Sequence, residues 1–189
     1  MQLVHEEYSV KIPRPRHLQI LIRLNALNAV TLNAIALGFT VEGLCHDDTI
    51  SPFNAEGPKP PGTDISFSSS TESLRPTTLQ VSVRHHPWLD LFPFPKMRDN
   101  IIKGIEAGLF DEDELCADLL EVEDLNQDEK ASLLVWGQSW DFRAWEASVA
   151  FLKKWGWLIR ESPELLEATN QWRMRRGEKP LRFPVEEVP

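Results

Sequence analysis

A mainly α-helical fold is expected of this chain: a single compact helical domain with a long flexible loop and at most one or two short strands. Three observations carry that expectation. Apolar residues recur at helical spacing between recognisable start and stop residues. Segments able to be strands do not repeat with the spacing of β-α-β units. A length of 189 residues, 42% of them hydrophobic, is also enough for one domain with a substantial core. The expected organisation is a tail over 1–12, the helical domain over 13–182 with a flexible loop at 54–76 inside it, and a tail over 183–189.

Residues 15–37 read as a long helix, with Pro15 suited to its first turn and Gly38 to its end. Apolar residues lie nearly all round it, which points to a buried helix. A heptad runs through Leu18, Leu21, Asn25, Asn28, Leu32 and Ile35, but two of those positions are Asn and the flanking positions carry no pairing charges. A core helix whose amides bond within the fold is the better reading. Residues 54–76 hold four Pro, two Gly and five Ser with no apolar period, hence the flexible loop. Leu79, Val81 and Val83 alternate with polar residues as in a short extended segment, and Pro87, Pro93 and Pro95 keep the next stretch from being a helix. Trp88, Phe92 and Phe94 are then expected to staple it over the core.

Pro95 opens a helix to about Gly108, and Asp111 with Glu114 forms an acidic capping box for another through Leu119 or Leu120. Leu133 to Trp136 is either a buried strand or a turn of buried chain. Asp141 is expected to cap a helix carrying Phe142, Trp145, Val149 and Leu152. Gly156, between two Trp, costs helix stability and permits close approach of another segment. Ser162-Pro163 and Gly177 bracket the last helix.

The formal charge is −9, and its location matters more than its size. Ten carboxylates and no Lys or Arg lie between Asp111 and Glu129, leaving 19 acidic against 20 basic residues elsewhere. Such a balance offers no basic field to gather phosphates, so direct sequence-specific DNA binding is not expected. The acidic stretch reads first as a solvated face, and its interleaved Leu residues could make it a docking surface. No apolar run approaches the roughly 20 residues that span a bilayer, and the N-terminus lacks the pattern of a secretory signal. Two isolated cysteines, Cys45 and Cys116, favour an intracellular setting.

Chemistry-bearing residues are sparse. His85 and His86 are adjacent, so in an extended segment they point to opposite faces and cannot easily share a metal. A histidine that bonds a carboxylate or the backbone and locks its loop is the preferred reading of His86. Cys45-His46-Asp47-Asp48 has no second half elsewhere, so neither metal nor cofactor is expected. Gly137-Gln138-Ser139 lacks the second glycine of a nucleophile elbow. If the protein is an enzyme, His86, Asp99, Asp141 and Glu146 are its candidate acid–base groups. Candidate binding residues are Trp88, Arg98, Trp136, Trp140, Trp145, Asn170, Trp172 and Arg173, an aromatic set with polar groups suited to an apolar ligand or a protein partner. The structural alternative is a lattice tying Asp90, Asp99, Asp141 and Glu146 to Arg98, Arg143, Arg173 and Arg176. Arg173 is expected to pair with Asp141 or Glu146.

Several elements occur in order: His86-Pro87-Trp88, Pro93-Phe94-Pro95, Arg98-Asp99-Asn100, Trp136-Gly137, Trp140-Asp141, Trp145-Glu146, Asn170-Gln171-Trp172-Arg173 and Arg176-Gly177-Glu178. Together they resemble a fungal domain of unknown function usually found C-terminal to the basic leucine zipper of filamentous-fungal transcription regulators. The resemblance spans about residues 13–181. It implies a regulatory, transcription-associated role, a nuclear setting and a place beside secondary-metabolite genes. With no basic helix and no zipper before the domain in this sequence, DNA reading does not carry over. Two function classes remain open: a regulatory domain acting through a protein partner or small apolar ligand, and a small cofactor-independent enzyme using His and carboxylate groups.

Overall fold

In the computed structural model residues 15–42, 44, 46, 48–58, 71–120 and 131–182 are described. The expected tails, 59–70 of the expected loop, 121–129 of the acidic stretch, Cys45 and Asp47 lie outside them. Among the described residues six α-helices and one two-stranded sheet make a mainly α fold: α1 Pro15–Ala36, α2 Thr78–Ser82, α3 Pro95–Glu106, α4 Glu112–Leu120, α5 Val149–Trp155 and α6 Glu164–Arg175, with β1 Leu133–Val135 and β2 Trp145–Ala147. Short 3-10 turns at Glu72–Leu74, Pro87–Leu91, Phe142–Ala144 and Gly156–Ile159 join them. No described helix is long and apolar enough to cross a membrane.

Helix α1 buries Ala26, Ala29, Val30, Asn33 and Ala34, a stripe at helical spacing, and leaves Leu32 and Ile35 exposed at 45% and 61%. It is thus one-sided, not buried all round. The expectation that its amides bond within the fold holds for two of them. Asn33 Nδ2 donates to Leu91 O (2.8 Å) and Ser139 O (3.1 Å), while Asn25 Oδ1 accepts from Val135 N (2.8 Å). Gly38 ends the helix at φ 71°, with Phe39 N bonded back to Ala34 O.

The alternating segment expected after the loop is α2 instead. Thr77 Oγ1 accepts from Gln80 N and Gln80 Oε1 accepts from Thr77 N, a reciprocal cap that wins over three alternating residues. The described ends of the expected flexible loop are packed: Asn54, Gly57 and Leu74 are buried. A Cβ on Gly57 would collide with the Ser51 carbonyl oxygen, so this turn admits no side chain there. The proline-rich stretch after α2 forms a 3-10 turn, and Trp88, Leu89, Leu91, Phe92 and Phe94 on or beside it are buried core.

Leu133 to Val135 does form a strand. Its partner corrects a second expectation: Asp141 caps only the 3-10 turn, accepting from Arg143 N, and Trp145 enters β2 rather than a helix. The register is antiparallel, Leu133 opposite Ala147 and Val135 opposite Trp145. All three β2 residues are buried, which favours pairing over an amphipathic helix. Ser148 then caps α5 through Phe151 N. The Trp145 ring meets Phe92 at 5.8 Å and Phe94 at 6.0 Å, both edge-on, so the Trp145-Glu146 and Pro93-Phe94-Pro95 elements share one core. At Gly104 of α3 aromatic rings close in, with Phe110 and Trp157 against it.

Candidate functional site

The sequence candidates do not converge on one point. His86 Nδ1 bonds Glu112 Oε1 (2.7 Å), and Trp88 Nε1 donates to the same oxygen (3.1 Å). Asp99 accepts from Thr77 Oγ1 (2.6 Å), Asp141 is held by the Arg143 fork (2.8 and 3.0 Å), and Glu146 is gripped by Arg176. The four acid–base candidates therefore stand in four separate places. Trp145 is fully buried, with its indole N–H on Ser139 O (2.8 Å). Asn170 is occupied by the backbone of Leu181 at both ends of its amide. Glu114, expected to complete a capping box with Asp111, instead joins Asp118 in holding Lys154 (2.7 and 2.6 Å), so α4 is not simply a solvated acidic face.

Burial gathers a polar cluster of which the sequence reading had only Asp90 and Arg98, as members of an arginine–carboxylate lattice, and not Ser51, Gln80 or His85. The Asp90 carboxylate, 0% exposed, accepts from Ser51 Oγ, Gln80 Nε2 and His85 Nε2. Arg98, likewise 0% exposed, donates to Gln80 Oε1 (3.1 Å) and to the carbonyls of Ser73, Phe92 and Arg75 (3.0, 2.6 and 2.7 Å). Arg98 is thus held by carbonyl oxygens rather than by a carboxylate. Ser51 and His85 both turn to Asp90, so the serine lacks the base a nucleophile needs. This cluster knits the 51–57 turn, α2, the Pro87–Leu91 turn and α3 together. Beyond Asp90 and Arg98, only the Thr77-x-x-Gln80 pattern could have announced a member of it.

Both ring nitrogens of His85 face acceptors, Nδ1 the Val83 carbonyl (2.8 Å) and Nε2 the Asp90 carboxylate (2.8 Å), an arrangement that suits the imidazolium. Burial opposes that charge. The hydrogen bond and charge of Asp90, with smaller help from Val83 and Glu112, outweigh it and hold the pKa above the usual 6.5. A raised folded pKa supplies stability that is full below the unfolded value and is lost as pH rises through the folded one. The urea midpoint is therefore expected to fall as pH rises above about 6.5, and in His85→Gln, which keeps a neutral donor, that fall should be smaller. Superimposable pH profiles would refute it.

Two surface features remain. One is an open cleft of about 580 Å³ where Pro93, Phe94, Trp140, Asp141, Arg143 and Glu164 form part of the wall. The other joins the Trp136-Gly137 element to the Trp172–Arg176 segment. Trp136, 49% exposed, packs on Trp172 with ring centres 5.6 Å apart and planes tilted 31°. Arg175 lies 4.6 Å from the Trp172 ring and Arg176 5.8 Å from the Trp136 ring. Both indole N–H groups are committed, Trp136 to Glu146 Oε2 (2.7 Å) and Trp172 to Arg143 O (2.9 Å), which fixes the rings.

Residues 62–165 match the family described as Domain of unknown function (DUF3425). The chain belongs to this family. No curated protein matches the chain. No solved structure matches it either. The part of this DUF3425 protein that matches holds Asp90, His85, Arg98, Trp136 and Glu146, whereas α1 and the Trp172–Arg176 segment fall outside it. No described group of three or more His, Cys, Asp or Glu is placed to hold a metal ion.

The expected Arg173 pairing is wrong by one turn. Arg173 meets Glu178 (2.9 Å) and Lys179 O (2.9 Å), while Arg176 takes Glu146 with both terminal nitrogens (2.8 and 2.5 Å). The Glu146 hydrogen bonds, then Glu178, raise the Arg176 pKa further. Glu146 is only 5% exposed, so Arg176→Ala should cost about 2 kcal/mol through a carboxylate left short of donors. Arg173→Ala should cost about half as much, its partner Glu178 being exposed. Thermal melts ranking them the other way would overturn this.

Proposed function

We propose that this DUF3425 domain is a non-catalytic, transcription-associated regulatory module that engages an acidic segment of a partner protein through the Trp136–Trp172–Arg175 face. The regulatory part rests on the resemblance to domains that follow fungal zippers, which also suggests a nucleus-based role in secondary metabolism. The observation that carries the binding part is the rigid aromatic pair with Arg175 stacked on it. Among the described residues Arg175 has no carboxylate partner, so a guanidinium is oriented for one from outside. Trp and Arg are the residue types that most often dominate protein interfaces, and rings already fixed lose little freedom on binding. DNA would be reached only through another chain. The enzyme reading has less support, because His86, Asp99, Asp141 and Glu146 stand apart.

Tethered to a heterologous DNA-binding domain in a filamentous fungus, the chain should alter a reporter's output. The double variant Trp136→Ala, Arg175→Ala should lose that effect while keeping its circular dichroism spectrum. Titration of the purified chain with a synthetic Glu-rich peptide should quench Trp fluorescence in wild type, and less at high salt. A double variant that regulates and binds like wild type would exclude this face.

A further inference from the structure

The Phe142–Ala144 turn serves two neighbouring surfaces at once. Its carbonyls hold the tryptophan pair: Trp172 Nε1 donates to Arg143 O (2.9 Å) and Trp136 N to Ala144 O (2.8 Å). Its first two residues, Phe142 and Arg143, line the 580 Å³ cleft, with Trp140 and Asp141 just before them. The cleft and the Trp136–Trp172–Arg175 face therefore meet at this turn. Pro93, Phe94, Pro95, Trp140 and Phe142 give the cleft an apolar lining. That lining is fixed by the fold: Phe94 is 1% exposed and packs edge-on against Trp145, and Trp140 O accepts from Ser73 Oγ. The charged groups around it decide what can enter. Glu72 and Asp141 are each taken by a neighbouring guanidinium, Arg75 (2.7 Å) and Arg143 (2.8 Å). Glu164 accepts from Ser162 Oγ (2.7 Å) and has no basic partner among the described residues. A carboxylate entering the cleft would thus meet carboxylates, with Arg143 already committed. A lysine would find one unpaired carboxylate at an exposed position, where such a pair gains little. An apolar side chain meets neither obstacle, and covering aromatic and proline surface is favourable.

We propose that the cleft is the second half of the Trp136–Trp172–Arg175 site and takes one large apolar side chain of the same acidic partner segment. The proposal rests on the reading of that face as a site for an acidic segment. Charge sets the register: the partner's carboxylate goes to Arg175, and the cleft's own carboxylates keep it out of the apolar half. Arg175 lies 4.6 Å from the Trp172 ring, whose N–H touches the turn that carries Phe142. The path from Arg175 to the cleft is about 10–15 Å, or three to four residues of extended chain at about 3.3 Å each. The partner is therefore amphipathic, with a Phe, Leu or Trp three to four positions from a Glu or Asp. A purely acidic peptide uses half of the site.

Fluorescence anisotropy with dye-labelled peptides tests it. A reference peptide carries a block of Glu followed by a Gly-Ser tail; in two others Phe stands three or four residues after the last Glu, and in two more Lys stands there. Wild type should bind the better Phe peptide about tenfold tighter than the reference, the scale of a large side chain withdrawn from water. Both affinities should fall between 0.05 and 0.5 M NaCl while their ratio stays the same. Arg175→Ala should weaken both peptides and keep the ratio, whereas Trp140→Ala should bring it close to one. A peptide with the photoreactive p-benzoylphenylalanine in place of Phe should crosslink wild type within residues 93–95 or 140–142, a readout that needs no variant to fold. Equal binding of the Phe and reference peptides, a Lys peptide that outdoes Phe, a ratio unmoved by Trp140→Ala, or crosslinks confined to other residues would each overturn the proposal and leave the Arg175 reading standing. A reference peptide that fails to bind, or binds Arg175→Ala as well as wild type, removes the Arg175 reading and the proposal with it.

Discussion

Replacing Arg98 with alanine should destabilise the domain by about 4 kcal/mol, within the range seen when one partner of a buried polar network is removed. For a chain of this size that lowers the melting temperature by about 8–16 °C. Arg98 is 0% exposed, and its fork supplies donors to Gln80 Oε1 and to the carbonyls of Ser73, Phe92 and Arg75. Burial pushes its pKa from the usual 12.5 down to about 10, with the charges of Asp90 and Asp99 opposing the drop. That depression corresponds to roughly 3 kcal/mol of resistance to the charge, yet the group stays protonated at neutral pH. The fold accepts this cost because one guanidinium satisfies four acceptors from three segments. Lysine cannot reproduce the fork, so Arg98→Lys should also be clearly destabilised. Arg84→Ala, at an exposed position with a loose 3.8 Å ion pair, should shift the melt by about 1 °C. Differential scanning calorimetry decides it. Equal losses for Arg98→Ala and Arg84→Ala would mean the buried network contributes nothing.

Trp145→Ala should cost about 3–5 kcal/mol, as large aromatic deletions in a packed core do. Trp145 is 0% exposed, its ring braced edge-on by Phe92 and Phe94 and its N–H bonded to Ser139 O. Trp136→Ala removes an equally large side chain that is half exposed, and should cost only about 1 kcal/mol. Urea denaturation of the two variants separates a core tryptophan from a surface one that the sequence could not tell apart. Similar midpoints would show that the Trp145 environment is looser than its contacts imply.

The contrast between these two tryptophans marks where sequence reasoning stopped. Trp136, Trp140 and Trp145 succeed one another within ten residues, all with polar neighbours, and nothing local ranks them by burial. The hairpin ranks them: pairing of Val135 with Trp145 places the latter under Phe92 and Phe94 and leaves Trp136 at the strand's end in solvent. Arg173 and Arg176 pose the same problem. They lie three residues apart, one helical turn, and choosing which reaches Glu146 requires the path of the chain as α6 leaves the hairpin. His85 was passed over for His86 because only the fold brings to its ring the Asp90 carboxylate that Ser51 and Gln80 also bond.

The sequence by itself determined the features that depend on near neighbours. The mainly α class, the ends of α1, α3 and α6 and the conversion of the prolines into a Trp- and Phe-bearing core stretch all come from caps, φ restrictions and apolar spacing over a few residues, whereas the strand at 133–135 needed its partner β2 to be told from a turn of buried chain. Even the missed α2 carries its cap in the letters Thr77 and Gln80. Tertiary structure alone decided which apolar face of α1 was used, which histidine was buried, and which arginine found which acceptor. Those choices join residues tens of positions apart, Arg98 with Ser73 and Arg75, Asn25 with Val135, Asp90 with Ser51. Burial makes each such bond obligatory, since an unpaired polar group away from water costs more than any local preference can return, but the identity of the partner is a property of the packed whole.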